Sequence, residues 1–104
     1  MALEITDANY EEIAATDRLI LIDFWAQWCG PCRSLSPVVD DLSKAYEGKA
    51  IVAKIDVDEN PDIVEKFSIR NVPTILLIKD GEVVDKIVGA VPKNEIVEKI
   101  EANL

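Results

Sequence analysis

Two rhythms of apolar residues alternate along the chain: short runs that suit strands, and three-to-four-residue spacings that suit helices. No repeat, low-complexity tract or linker interrupts them. Leu3 to Ile5 reads as a short, weak strand, and Asp7 stands where it would cap a helix whose apolar face uses Tyr10, Ile13 and Ala14. Leu19 to Trp25, LILIDFW, is apolar at odd and even positions alike, which predicts a central strand covered on both faces. Asp23 is its one interruption. Helical spacing runs from Cys32 to Tyr46 through Leu35, Val38, Val39 and Leu42, with Gly48 as the stop and Pro37 as a predicted kink.

Ile51 to Ile55 is the next strand, Pro61 introduces a short helix over Asp62 to Phe67, and Thr74 to Ile78 is a further strand. Asp80-Gly81 is a hairpin turn leading into Val83 to Val88. After Gly89, Lys93 to Ala102 closes the chain as an amphipathic helix through Ile96, Val97 and Ile100. The order β-α-β-α-β-α-β-β-α predicts an α/β fold with helices on both faces of a mixed sheet. Strands joined through helices should lie parallel and the final hairpin antiparallel. Strand order does not follow from the pattern.

The 104 residues fit one domain, 1–104, and 49% hydrophobic content supplies its core. A net charge of -9 argues against binding nucleic acid or anionic membrane surfaces. Met1 to Asp7 has neither a basic nor a long apolar stretch, and no apolar run approaches the roughly 20 residues that span a bilayer. The expectation is a soluble, unexported, cytoplasmic protein, and a monomer. In a reducing compartment two cysteines separated by two residues point to catalysis or metal binding rather than a structural bridge. The absence of histidine removes Cys-His and Ser-His catalysis, leaving thiols, carboxylates and lysines.

WAQWCGPC, from Trp25 to Cys32, puts both thiols where a strand ends and a helix begins. Three residues apart on a helix, two Cα atoms are about 5 Å apart, inside the ~4.4–6.8 Å that a disulfide requires. Cys29, at the helix start, would face unpaired N–H groups and the positive end of the dipole, which favour a thiolate. A stabilisation of about 1.4 kcal/mol raises the thiolate fraction of a free thiol at neutral pH from roughly 3% to roughly a quarter. Cys32, a turn further in, would stay protonated until it attacks a mixed disulfide formed at Cys29. The competing reading of the pair is two small buried hydrophobes or half of a zinc site; a structural zinc site wants about four N or S donors, and this chain has two thiols.

Asp23 has two readings: a strand residue at a solvated edge, or a carboxylate buried beneath the dithiol whose raised pKa lets it accept the Cys32 proton. Lys54 either pairs with Asp23 across neighbouring strands or snorkels to the surface. Trp25 and Trp28 either fill the core or, for Trp28, shield the dithiol.

WAQWCGPC, Asp23, Lys54, Val72-Pro73-Thr74 and Val88-Gly89-Ala90 together resemble the thioredoxin family, over the entire chain. The resemblance implies a thioredoxin fold: a five-stranded mixed sheet of order 1-3-2-4-5 with four helices, and a cis peptide bond before Pro73. It implies catalytic roles for Cys29, Cys32, Asp23 and Lys54. It also implies that Val72 offers its backbone to an extended substrate, while Trp28, Gly30, Pro31, Pro73, Gly89 and Ala90 border a shallow apolar groove. The implied activity is protein disulfide reduction with no bound cofactor, electrons coming from NADPH through a flavin-dependent thioredoxin reductase. Arg33, Ser68 and Asn71 depart from the family's usual lysine and glycines, which bears on partner preference. Asn71 tolerates a left-handed backbone better than most residues. A function of another class, a redox-independent binding module or assembly subunit using the same groove, is the alternative.

Overall fold

In the computed structural model, which describes residues 1–104, the LILIDFW segment is β2 (Leu19–Trp25), the middle strand of a five-stranded sheet of order β1-β3-β2-β4-β5. The other strands are β1 (Leu3–Glu4), β3 (Ala50–Asp56), β4 (Thr74–Lys79) and β5 (Glu82–Val88). The helices are α1 (Tyr10–Ala14), α2 (Gly30–Ala45), α3 (Pro61–Lys66) and α4 (Lys93–Asn103). This is the α/β thioredoxin fold that the resemblance implied.

Side chains alternate across the sheet, so β2 serves two cores at once. Leu19 and Leu21 point into the cluster built with Leu35, Val39 and Leu42 of α2 and Ile96 and Ile100 of α4. Ile20, Ile22 and Phe24 point the other way, against Tyr10 of α1 and Ile63 of α3. All five are at most 2% exposed. Each such aliphatic or aromatic side chain contributes roughly 1.5–3 kcal/mol on burial, and that double load makes LILIDFW the anchor of the fold. Asp23 shares the face of Leu19 and Leu21.

β1, β3 and β2 run parallel, and β5 pairs antiparallel with β4 through the Asp80-Gly81 turn, where φ is 52° and 81°. Positive φ at both positions suits a two-residue hairpin, and glycine meets it without steric cost. β4 departs from the parallel expectation: although it follows a helix, it lies antiparallel to β2. α3 has six residues and rises only about 9 Å, against roughly 23 Å for the seven-residue β3. The helix cannot return the chain to the far end of the sheet, so β4 begins at the end where β2 finishes, with Thr74 opposite Phe24.

Asp7 does not cap α1. Its Oδ2 and Oδ1 accept the N–H groups of Asp62 and Ile63 at 3.1 and 3.0 Å, so it caps α3 from across the fold. Asn60, at the α3 N-cap position, is occupied elsewhere: Oδ1 accepts Asp7 N–H and Nδ2 donates to Asp56 O, both at 2.9 Å. α1 instead begins on Thr6 and Asn9, whose side chains and backbone N–H groups bond reciprocally. We expect Asp7→Ala to destabilise the protein by about 1–2 kcal/mol through two lost donor partners at α3. An unchanged urea midpoint would contradict that role.

Candidate functional site

The junction between β2 and α2 is set by local chemistry. Cys29 N–H bonds to Ala26 O at 3.2 Å, closing a turn, and Cys29 itself is the extended N-cap of α2, with φ -92° and ψ 110°. The helix therefore starts ahead of Cys32, with Gly30 and Pro31 in its first turn, where proline's missing N–H is not needed. Cys29 Sγ accepts the backbone N–H of Cys32 at 3.2 Å. The cysteines are joined as a disulfide with Cα atoms 5.3 Å apart. At 5% and 2% exposure the two differ little in burial; their neighbours separate them. Cys29 faces the helix N-terminus, whereas Cys32 opens inward.

Behind Cys32 lies a cavity of about 70 Å³ lined by Asp23, Trp25, Cys32, Arg33, Ser36 and Lys54. Asp23 is 3% exposed, which removes the solvated-edge reading. Desolvation pushes its carboxyl up to about 7, with the Lys54 charge partly opposing that rise. Lys54 is its register partner on β3, on the same face of the sheet. The two make no direct ion pair; the salt bridges are Lys93–Asp41 and Lys99–Asp85, both remote from the site. Lys54 Nζ lies 5.6 Å from the centroid of the Trp25 ring. Asp23 Oδ1 and Trp25 Nε1 are both buried without a protein hydrogen-bond partner. A larger hollow of about 660 Å³ beside Glu4, Asp7 and Asp56 reaches Lys54 from outside and touches neither cysteine.

On the outer side Trp28 is 69% exposed, so it does not fill the core, and its Nε1 donates to Asp58 Oδ2 at 2.9 Å. Val72 packs against the cluster of Ala26, Cys29 and Cys32. The Val72–Pro73 peptide bond is cis, and Pro73 O accepts Gly89 N–H at 2.9 Å, tying the end of β5 to the segment beside the dithiol. Gly30, Pro31 and Ala90 are exposed, Val72 and Gly89 half-buried, and Pro73 buried. A groove of about 450 Å³ joins Trp28 to Val72, with Ile69, Arg70 and Asn71 on its wall.

Three features of this region were missed in the sequence. Asp58 holds Trp28, yet it reads as one more acid in an acidic loop. Ile69 and Arg70 are brought to the groove by a turn that no periodicity announces. Ser36 lines the inner cavity, and here a signal existed: it stands four residues after Cys32, on the same helical face. Among the departures from the family pattern, the left-handed backbone falls on Ser68, with φ 52°, rather than on Asn71. Arg33 Nη1 donates to Gln27 O at 2.8 Å, folding the cation back over the turn.

The thioredoxin family model matches residues 1–102. The thioredoxin of Chlorobaculum thiosulfatiphilum is 54% identical over 102 residues, covering 97% of this chain and 94% of that protein. Thioredoxin 2 of Chlorobaculum tepidum is 52% identical over 102 residues with the same shares covered, and thioredoxin 1 of Nostoc sp. is 44% identical over 104 residues, covering 99% and 97%. With a disulfide-linked pair at the head of α2, a sheet of the family's strand order and relatives matched along their whole length, the chain belongs to the thioredoxin family, and Cys29 and Cys32 are its dithiol–disulfide redox couple.

Proposed function

We propose that the protein is a cytoplasmic protein disulfide reductase, a single-domain monomer that carries electrons as the Cys29–Cys32 dithiol. The observation that carries this reading is the unequal setting of the sulfurs: Cys29 Sγ accepts a helix N–H, while Cys32 faces a buried carboxylate. A hydrogen-bonded sulfur at a helix N-terminus is stabilised as thiolate, so Cys29 attacks a substrate disulfide and releases one substrate sulfur. Cys32 then loses its proton to Asp23 and attacks Cys29 Sγ, expelling the second substrate sulfur and leaving the Cys29–Cys32 disulfide. Two electrons have passed to the substrate. Lys54 keeps the Asp23 proton affinity near neutrality by opposing desolvation, so the carboxyl can both take and return a proton.

Substrate docks along the groove between Trp28 and Val72; Gly30, Pro31, Pro73, Gly89 and Ala90 lie outside the walls of that groove and extend the docking surface around the dithiol. Val72 supplies backbone bonds to an extended segment, a mode that tolerates many sequences. No helix is long and apolar enough to cross a membrane, and the proposed cycle requires no bound cofactor. A flavin-dependent thioredoxin reductase returns the disulfide to the dithiol at the expense of NADPH. The experiment is NADPH-linked reduction of insulin with purified thioredoxin reductase and the Cys29→Ser, Cys32→Ser double variant as blank. Cysteine-dependent NADPH oxidation is expected; a rate equal to the blank, from a protein that dithiothreitol can reduce, would refute the proposed electron source.

A further inference from the structure

The cavity behind Cys32 joins groups from three elements: Asp23 and Trp25 of β2, Lys54 of β3, and Cys32, Arg33 and Ser36 of α2. At about 70 Å³ it has room for a water molecule, whose share of liquid volume is about 30 Å³. It is also polar enough to hold one, because Asp23 Oδ1 accepts, Trp25 Nε1 donates, and both are buried with no protein partner. Ser36 is the remaining neutral donor on the wall. Ser34, on the outer side of the same turn, bonds back to Gly30 O at 3.5 Å, whereas half-buried Ser36 on the cavity wall makes no such backbone bond.

We propose that Ser36 is the positioning residue for proton transfer from Cys32 to Asp23, its hydroxyl holding a water in the cavity that donates to the Asp23 carboxylate. The inference rests on the reading of Asp23 as proton acceptor. In the resolving step the Cys32 S–H bond breaks and the proton passes to the carboxylate. The electron pair left on Cys32 Sγ forms the bond to Cys29 Sγ, and the bond between Cys29 and the substrate sulfur breaks with its pair on the substrate. The substrate disulfide is the only oxidant required. A buried carboxylate with no donor is costly to ionise, so a donor aimed at it favours the charged form that accepts a proton, and holds its oxygen towards Cys32.

The groups that face Asp23 are few. β3 presents Lys54 and, further along, Asp56; β1 presents Glu4 beside Lys54; α2 presents Cys32 and Arg33; β4 contributes Ile75. None of these is altered when Ser36 is replaced.

The test follows the Asp23 carboxyl by carbon NMR in the reduced protein, alongside the pH profile of the resolving step in single-turnover substrate release, for wild type, Ser36→Ala and Ser36→Thr. Loss of a donor to a carboxylate should raise the Asp23 midpoint in Ser36→Ala by about half to one pH unit, with the rate profile moving equally, and Ser36→Thr should restore both. An unchanged midpoint in Ser36→Ala would overturn the proposal. An equal rise in the alanine and threonine variants would trace the effect to packing and overturn it too. Asp23→Asn separates the underlying reading: a wild-type resolving rate there removes Asp23 as acceptor, and Ser36's part in the transfer with it, whatever the midpoints show.

Discussion

Asp23→Asn is expected to make the folded protein more stable and a poorer reductase at the same time. Burial pushes the Asp23 carboxyl up to about 7 in the folded chain, against 3.8 for an unperturbed aspartate. Between those pH values the unfolded chain has released its proton and the folded chain still holds it, so stability falls as pH rises through that window. Below it the residue carries no penalty; above about 7 the penalty is complete. About three pH units correspond to a ceiling of about 4 kcal/mol, and the asparagine amide, itself short of partners, returns part of that, leaving a gain of about 2–4 kcal/mol above neutrality. Urea denaturation of the oxidised proteins across acidic to alkaline pH checks this. The wild-type and variant curves should converge in acid and separate in alkali, and curves that stay parallel would contradict a buried ionisable Asp23. The same variant should slow the resolving step by about 10²-fold near neutrality, the ordinary scale for a lost general base.

Cys32→Ser is expected to convert the protein from a turnover catalyst into a trap. Neighbouring reactive groups in good alignment reach effective molarities on the order of 10⁵ M or more, which external thiols at millimolar concentration cannot replace, so steady-state reduction should fall at least about 10³-fold. Attack by Cys29 is left intact, so a mixed disulfide with substrate should accumulate on Cys29 and be visible by mass as one substrate chain per protein. Cys29→Ser should show no such adduct. If Cys29→Ser formed the adduct and Cys32→Ser formed none, the two roles would be reversed.

LILIDFW announced its place in the sheet because a strand buried on both faces must be apolar at every position, and the one charge it carries stood out for the same reason. The WCGPC turn was legible because proline and an N-capping side chain act locally, within one helical turn. The direction of β4 was not, since it depends on how far α3 travels relative to β3 rather than on either segment alone. Asp7 shows the limit most plainly: its spacing suited α1, but the fold placed two N–H groups of α3 beside it. The inner cavity, the Asp58 bond to Trp28 and the groove wall at Ile69 and Arg70 are likewise products of packing between distant segments, which patterns along the chain do not encode.

The most direct test of the central claim, that Cys29 and Cys32 work as a dithiol against protein disulfides, is the precipitation of reduced insulin in dithiothreitol with wild-type protein and with the Cys29→Ser, Cys32→Ser double variant. Wild type should shorten the lag and accelerate precipitation in proportion to its concentration, while the double variant matches dithiothreitol alone. Equal rates for wild type and the double variant would contradict the account.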